Sequence, residues 1–291
     1  MTARNVYRYA LLFLIGAASC GMPSADHVHD KRATPERIVT VNGTMTEIVA
    51  ALGLEKHLVG VDVTSTFPAS VAQLPRIGHD RTVRAEGVIS LAPNVVLGTV
   101  GDIDESVLRQ LERAGIAVVL FERSSSVDGT KELIRAVADT LFVADRAGAL
   151  AAKIDSESGG IQAMGIAPRV LFIYARGAGT LMVAGEGTPM QRMIELAGGR
   201  NAVKGFEQFR PLTPEALIAA DPDAILLFES GLEALQGEEG LLQVPGLAQT
   251  TAGRNRSFIA MDGGLLSNFG PRCGQALARL NEAFRSLPVR P

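Results

Sequence analysis

Short runs of β-branched and leucine residues recur along the chain, separated by segments whose apolar residues follow helical spacing. Arg37 to Val41 is a β-branched run that stops at Asn42-Gly43, which predicts a strand and a turn. Thr44 reads as an N-cap with Glu47 at the capping-box position, opening a helix over about 45–53 that ends at Gly53. Leu58 to Val61 predicts a second strand, 86–91 a helix ended by Pro93, and 94–98 a third strand. A helix over 106–114, closed by Gly115, and a fourth strand over 116–120 complete the run. Strands alternating with helices predict a parallel sheet covered on both faces.

From Val127 to Met164 the helical spacing persists, with Leu133, Ile134, Val137, Ala138, Leu141 and Phe142, then Leu150 and Ile154, on the apolar stripe. Such a segment in mid-chain predicts a helical strut. Alternation resumes after Pro168, with a strand over 169–174 and a helix over 189–197 ended by Gly198-Gly199. A helix over 213–219 follows, with Thr213 as N-cap and Pro214 at the first position. Strands over 224–228 and 257–261 and an amphipathic helix over 270–287 finish the chain. The expected organisation is two α/β lobes, 37–142 and 168–291, joined by a linker helix over 143–167. One echo joins the halves. The stretch from Ala85 to Leu97 and the stretch from Pro214 to Leu226 each read as helix, Pro-containing turn and strand, with Glu86 and Glu215 in the first turns.

The first twenty residues break the pattern. Arg4 and Arg8 precede an apolar run from Ala10 to Ala18, with small residues after it, which describes a secretory signal peptide. The run is too short for a transmembrane helix. Cys20, after Ala17-Ala18-Ser19, resembles the lipidated Cys of bacterial lipoproteins, although Ala17 stands where Leu is usual; ordinary cleavage and release into the periplasm is the other reading. Residues 21–36 read as a polar tether, with His27 and His29 between Asp26 and Asp30.

Composition narrows the function classes. At 47% apolar and 20% charged, with a net charge of −3, the chain is globular and lacks the basic surplus of a nucleic-acid binder. Two cysteines, Cys20 and Cys273, exclude a disulfide framework and a C-x-x-C site. Cys273, within the last predicted helix, reads as a buried thiol. There is no nucleophile elbow and no phosphate loop, and Gly177-Ala178-Gly179 lacks the third glycine of a dinucleotide turn. Two of the four histidines lie in the leader, which disfavours a His-rich catalytic metal site. No enzyme is predicted.

Four segments carry a family resemblance: FPASVAQLPRIGHDRTVRAEGVISLAPNVVLG, LMVAGEGTPMQRMIELAGGRNAV, PLTPEALIAADPDAILL and GLLQVPGLAQTTAGRNR. With the signal peptide and central helix, they resemble the substrate-binding proteins of ABC importers in the helical-strut class that carries haem, cobalamin or iron-siderophores. Within it, the AEG and GEG stretches are similar to the haemin-binding (haem-utilisation) subgroup. The resemblance implies a type III periplasmic binding protein, two lobes with central sheets joined by a long rigid helix, with little hinge motion. It implies haem (hemin) as the transported ligand, held between the lobes and delivered to a membrane permease and its ATPase. A cobalamin or ferric-siderophore binding protein is the alternative. A haem-handling enzyme or chelatase finds no residues to carry it.

The family places its iron ligand in a Gly-Tyr-x-Arg loop, and this chain reads Gly78-His79-Asp80-Arg81. The resemblance thus makes His79 the haem iron ligand. Imidazole ligates haem iron well, favours the reduced state more than phenolate does, and makes binding sensitive to protonation. Arg81 would support the ligand or meet a propionate, and Asp80 would orient the imidazole. Met182, just before the GEG turn, and Tyr174 are candidates for a second axial ligand, and Arg176 for a propionate partner. Leu265, Leu266 and Phe269 would pack on the macrocycle or form ordinary core. Glu86 and Glu215 would dock with arginines of the permease; an exposed Glu in a first turn also stabilises its helix. The expected location is the periplasm, lipid-anchored if Cys20 is modified, with no nucleic-acid partner.

Overall fold

The computed structural model describes residues 34–79, 82–175 and 181–288. The signal peptide, most of the tether, Cys20, Asp80, Arg81, Arg176 and the 177–179 stretch lie outside the described residues. By contacts the chain divides into two units. One runs up to Arg123 and adds Arg135–Ala147; the other is Ser124–Ile134 with Gly148 onward.

The first unit is built on strands β1 (Ile38–Thr40), β2 (Leu58–Val61), β3 (Val95–Thr99) and β4 (Ala117–Phe121), in the order β2-β1-β3-β4. All its pairings are parallel, as the alternation predicts. Every residue of β1 and β3 is buried, the mark of strands covered on both faces. Val39, Val41, Val88, Val96 and Leu111 form one core with no solvent exposure. Asn42, rather than Thr44, caps the first helix, Gly43–Val49, by accepting from Met45 N at 2.9 Å. Glu47 therefore lies inside the helix, buried, and not at a capping-box position.

The predicted strut is not one helix. It consists of Val127–Thr140, a single turn at Ala144–Arg146, and Ala147–Ser158. Phe142 breaks it in the left-handed region at φ 58°, and Val143 N closes the end on Ala138 O at 2.9 Å. That is the bond of a glycine-type helix stop made without glycine, so no breaker marks it in the sequence. The helix Val127–Thr140 has its residues through Ile134 in the second unit and those from Arg135 in the first.

The second unit holds β5 (Arg169–Ala175), β6 (Leu181–Ala184), β7 (Arg200–Asn201), β8 (Phe209–Pro211), β9 (Ala224–Phe228) and β10 (Phe258–Met261). Their order is β10-β9-β5-β6-β8, with β7 against β5. The β10-β9-β5 part is parallel, whereas β6 runs antiparallel to both β5 and β8. Only residues 176–180 separate β5 from β6, too few for a crossover, so the alternation rule fails here. Strand β8 ends in Pro211 at the sheet edge, where proline costs no ladder bond. One face carries Phe172, Leu226 and Met261 with Leu265, Leu266 and Phe269; the other carries Leu171, Ile173, Ile225 and Leu227.

Candidate ligand-binding site

Open parallel sheets gather ligands at the carboxyl ends of their strands. In the first unit that edge is a buried polar network. Asp102, fully buried, accepts from Asn42 Nδ2 at 2.6 Å, Thr99 N at 2.6 Å, Thr99 Oγ1 at 2.8 Å, and the Arg123 guanidinium. Beside it, Thr40 Oγ1 and Thr46 Oγ1 lie 2.6 Å apart, and Thr46 Oγ1 is 2.6 Å from Ser65 Oγ. Ser65 Oγ donates to Asp62 Oδ1 at 2.5 Å, and Thr64 donates to Asp62 Oδ2 from N at 2.9 Å and Oγ1 at 2.5 Å. A buried carboxylate is tolerated only with its lone pairs filled, which makes this edge a stiff platform.

The His79 loop hangs from that platform. Val61 N donates to Pro75 O (3.1 Å), Ile77 N to Val61 O (3.0 Å) and Val63 N to Gly78 O (3.0 Å), so the chain before His79 extends the end of β2. Arg76 Nη1 donates to Asp62 O at 2.9 Å and Ser65 O at 2.7 Å, fixing the same stretch. Gly78 has φ 107°, and a Cβ there would lie 3.1 Å from Thr82 O, so any other residue before His79 would be strained. His79 N donates to Thr82 Oγ1 (3.2 Å), while Thr82 N and Oγ1 both donate to His79 O (3.0 Å). The imidazole is exposed on a backbone that is held. An open concavity of about 680 Å³ lies at the ends of this loop, lined by Arg76, Ile77, Gly78, Thr82, Arg84, Glu86 and Gly87.

In the second unit the corresponding edge is apolar. The register sets Phe228, Tyr174, Met182 and Pro211 in one row across β9, β5, β6 and β8, with Leu226, Phe172 and Ala184 in the buried row below. Tyr174 meets Phe228 at 5.8 Å and Phe209 at 6.2 Å between ring centroids; Phe172 meets Phe228 at 5.0 Å. These edge-on and tilted contacts hold the rings in a shallow aromatic floor. Tyr174 and Met182, the two axial candidates of this unit, are cross-strand partners and half-buried. The GEG turn follows β6. A Cβ on Gly185 would fall 2.4 Å from the Phe206 ring and carbonyl, so only glycine fits. Thr188 caps the next helix, Pro189–Leu196, and its Oγ1 donates to Gly185 O at 2.8 Å.

The sequence echo persists in the backbone. Glu86 and Glu215 stand exposed in the first turns of the helices Ala85–Ser90 and Pro214–Ala220, and neither has a hydrogen-bond or ion-pair partner among the described residues. Each helix ends in a left-handed residue before proline, Ala92 (φ 43°) and Asp221 (φ 33°). The next residue's side chain then accepts from the start of the neighbouring strand: Asn94 Oδ1 from Arg37 N at 2.9 Å, and Asp223 Oδ2 from Arg169 N at 2.7 Å. The two units thus share a module with an acid at its head.

Other candidates fall elsewhere. Leu265, Leu266 and Phe269 are at most 4% exposed and belong to the core. Cys273 is buried, and desolvation pushes its thiol up to about 11. Sequence reading missed the aromatic floor formed by Phe209 and Phe228, and Arg84. For the floor, the signal was the alternation Phe172, Tyr174 and the terminal aromatic of β9. Among the described residues no group of three or more His, Cys, Asp or Glu could hold a metal ion, and no helix is long and apolar enough to cross a membrane.

Comparison with known proteins gives this geometry a context. A periplasmic heme-binding protein, RhuT, from Roseiflexus sp. RS-1 superposes with a TM-score of 0.82 at 42% identity, covering 86% of this chain and 97% of that one. An ABC transporter substrate-binding lipoprotein of Bacillus subtilis (strain 168), itself uncharacterized, is 27% identical over 86% of this chain and 80% of its own length. A cobalamin-binding protein of Halobacterium salinarum (strain ATCC 29341 / DSM 671 / R1) is 26% identical over 88% of this chain and 71% of its own. The family described as periplasmic binding protein matches residues 38–264. The chain belongs to that family of non-enzymatic substrate-binding proteins and has its type III α/β fold.

Proposed function

We propose that this protein binds haem outside the cytoplasm and hands it to the permease of an ABC importer for haem or iron uptake. The observation that carries the reading is the exposed His79, held on a fixed loop at a strand edge, in a chain 42% identical to a heme-binding protein over 86% of its length. Iron in haem arrives with four pyrrole nitrogens and needs only axial donors, so a single imidazole suffices where no multi-ligand cluster lies among the described residues. His79 serves as the iron ligand. Tyr174 or Met182 supplies a second axial donor or the apolar floor under the macrocycle. Arg81 and Arg176 meet propionates, and Asp80 orients the imidazole. Glu86 and Glu215, acids on matching modules with no partner among the described residues, dock the protein on permease arginines. Residues 1–20 export the chain to the periplasm, and Cys20 anchors it by lipid.

Cobalamin is the second reading, favoured by the name of the Halobacterium relative. Titration of the purified protein with hemin and with cyanocobalamin separates the two. The haem reading expects saturable growth of a Soret band with a histidine-type visible spectrum and no cobalamin binding. Saturable cobalamin binding without hemin uptake contradicts it.

A further inference from the structure

Arg84 occupies a place that its helix does not favour. It is the N-cap of Ala85–Ser90, yet its side chain makes no capping bond. In the matching module of the second unit the same place holds Thr213, whose side chain accepts from Ala216 N at 3.2 Å. Arginine is a poor cap, and a cation beside a helix's first turn opposes the dipole. Residues that break a local rule without structural gain concentrate at functional sites. The guanidinium is exposed, has no hydrogen-bond or ion-pair partner among the described residues, and lines the concavity of about 680 Å³ that includes Gly78 and Thr82 on either side of His79. Arg76 lines the same concavity, already fixed by its bonds to Asp62 O and Ser65 O. Among the described residues of the lining, these two cations face one acid, Glu86.

We infer that Arg84, beside the fixed charge of Arg76, receives a carboxylate of the cargo and thereby selects a dianionic porphyrin over a corrinoid, whose rim carries neutral amides. The inference rests on the haem reading and deepens it. A planar guanidinium matches a carboxylate with two parallel donors, and such charge-assisted pairs are the stronger hydrogen bonds.

The test compares wild type with Arg84→Ser and Arg84→Ala in titrations with hemin and with hemin dimethyl ester, whose propionates carry no charge. Arg84→Ser restores a capping residue, so its melting temperature should rise by about 1–3 °C. Its hemin affinity should nevertheless fall about tenfold, with ester affinity unchanged. Arg84→Ala should show the same ligand pattern without the thermal gain. Unchanged hemin affinity in both variants, or equal losses for hemin and ester, overturns the inference while haem binding stands. If wild type binds neither hemin nor its ester, the haem reading fails and takes this inference with it.

Discussion

The two units present opposite chemistry at the same topological place. At the carboxyl edge of the first sheet, Asp62, Asp102, Thr40, Thr46 and Ser65 are fully buried and bonded to one another or to close neighbours. At the edge of the second, Phe172, Tyr174, Phe209 and Phe228 meet ring to ring. The polar edge has directional bonds and holds a backbone loop in place, which suits a residue that must aim a lone pair. The aromatic edge has area and little direction, which suits a surface that must accept a flat, apolar body. The same strand-end position is thus polar in one unit and aromatic in the other.

Either edge can be disrupted by substitution. The largest effect is expected on the apolar side. Phe172→Ala removes a ring that is 1% exposed and touches two others, and should cost about 3–5 kcal/mol in denaturant unfolding. On the polar side, Asp102→Ala leaves Asn42, Thr99 and Arg123 without their shared acceptor and should cost about 3 kcal/mol. A loss under about 1 kcal/mol in Asp102→Ala would mean that the network decorates the edge without stiffening it.

A third effect is smaller and depends on pH. Burial raises the Cys273 thiol from 9.0 to about 11, so the folded chain keeps this proton after the unfolded chain has lost it. The stability it contributes is complete below pH 9 and is lost as pH rises through about 11, by about 2–3 kcal/mol. Cys273→Ala should flatten that alkaline limb, as followed by unfolding curves from pH 8 to 11; an unchanged limb assigns the loss to other groups. The smallest effect on stability belongs to the shared module. Glu86→Ala and Glu215→Ala, both exposed, should stay within about 0.5 kcal/mol of wild type in stability and each lower stimulation of the reconstituted importer's ATPase; Glu215→Ala should also retain hemin affinity. Full stimulation by both variants would remove the docking role.

Much of this organisation is legible in the sequence because it is local. Asn42-Gly43 marks the end of β1, though as a cap and first helical residue and not as a turn; Thr213-Pro214 opens a helix, and β9 over 224–228 is a continuous apolar run, buried up to Phe228. The duplicated module survives because helix, proline and Asx cap are all short-range signals. What the sequence hides is set by tertiary pairing. The break at Phe142 has no glycine to announce it, and β8 is three exposed residues that become a strand only against β6. The cap moves from Thr44 to Asn42 because Asn42 also bonds Thr99 and Asp102, a demand from distant strands. His79 is legible through its loop motif. The partners that hold it, Thr82 and the Val61–Val63 edge, are visible only in the fold.

The proposed haem site depends on His79 as its axial ligand. The most direct measurement is a hemin titration of wild type beside His79→Ala, followed through the Soret and visible bands. Wild type should show saturable binding with a histidine-type spectrum, and the variant a shifted, weakened spectrum. Identical spectra and affinities in the two proteins would contradict it and move the iron ligand elsewhere, first to Met182 or Tyr174.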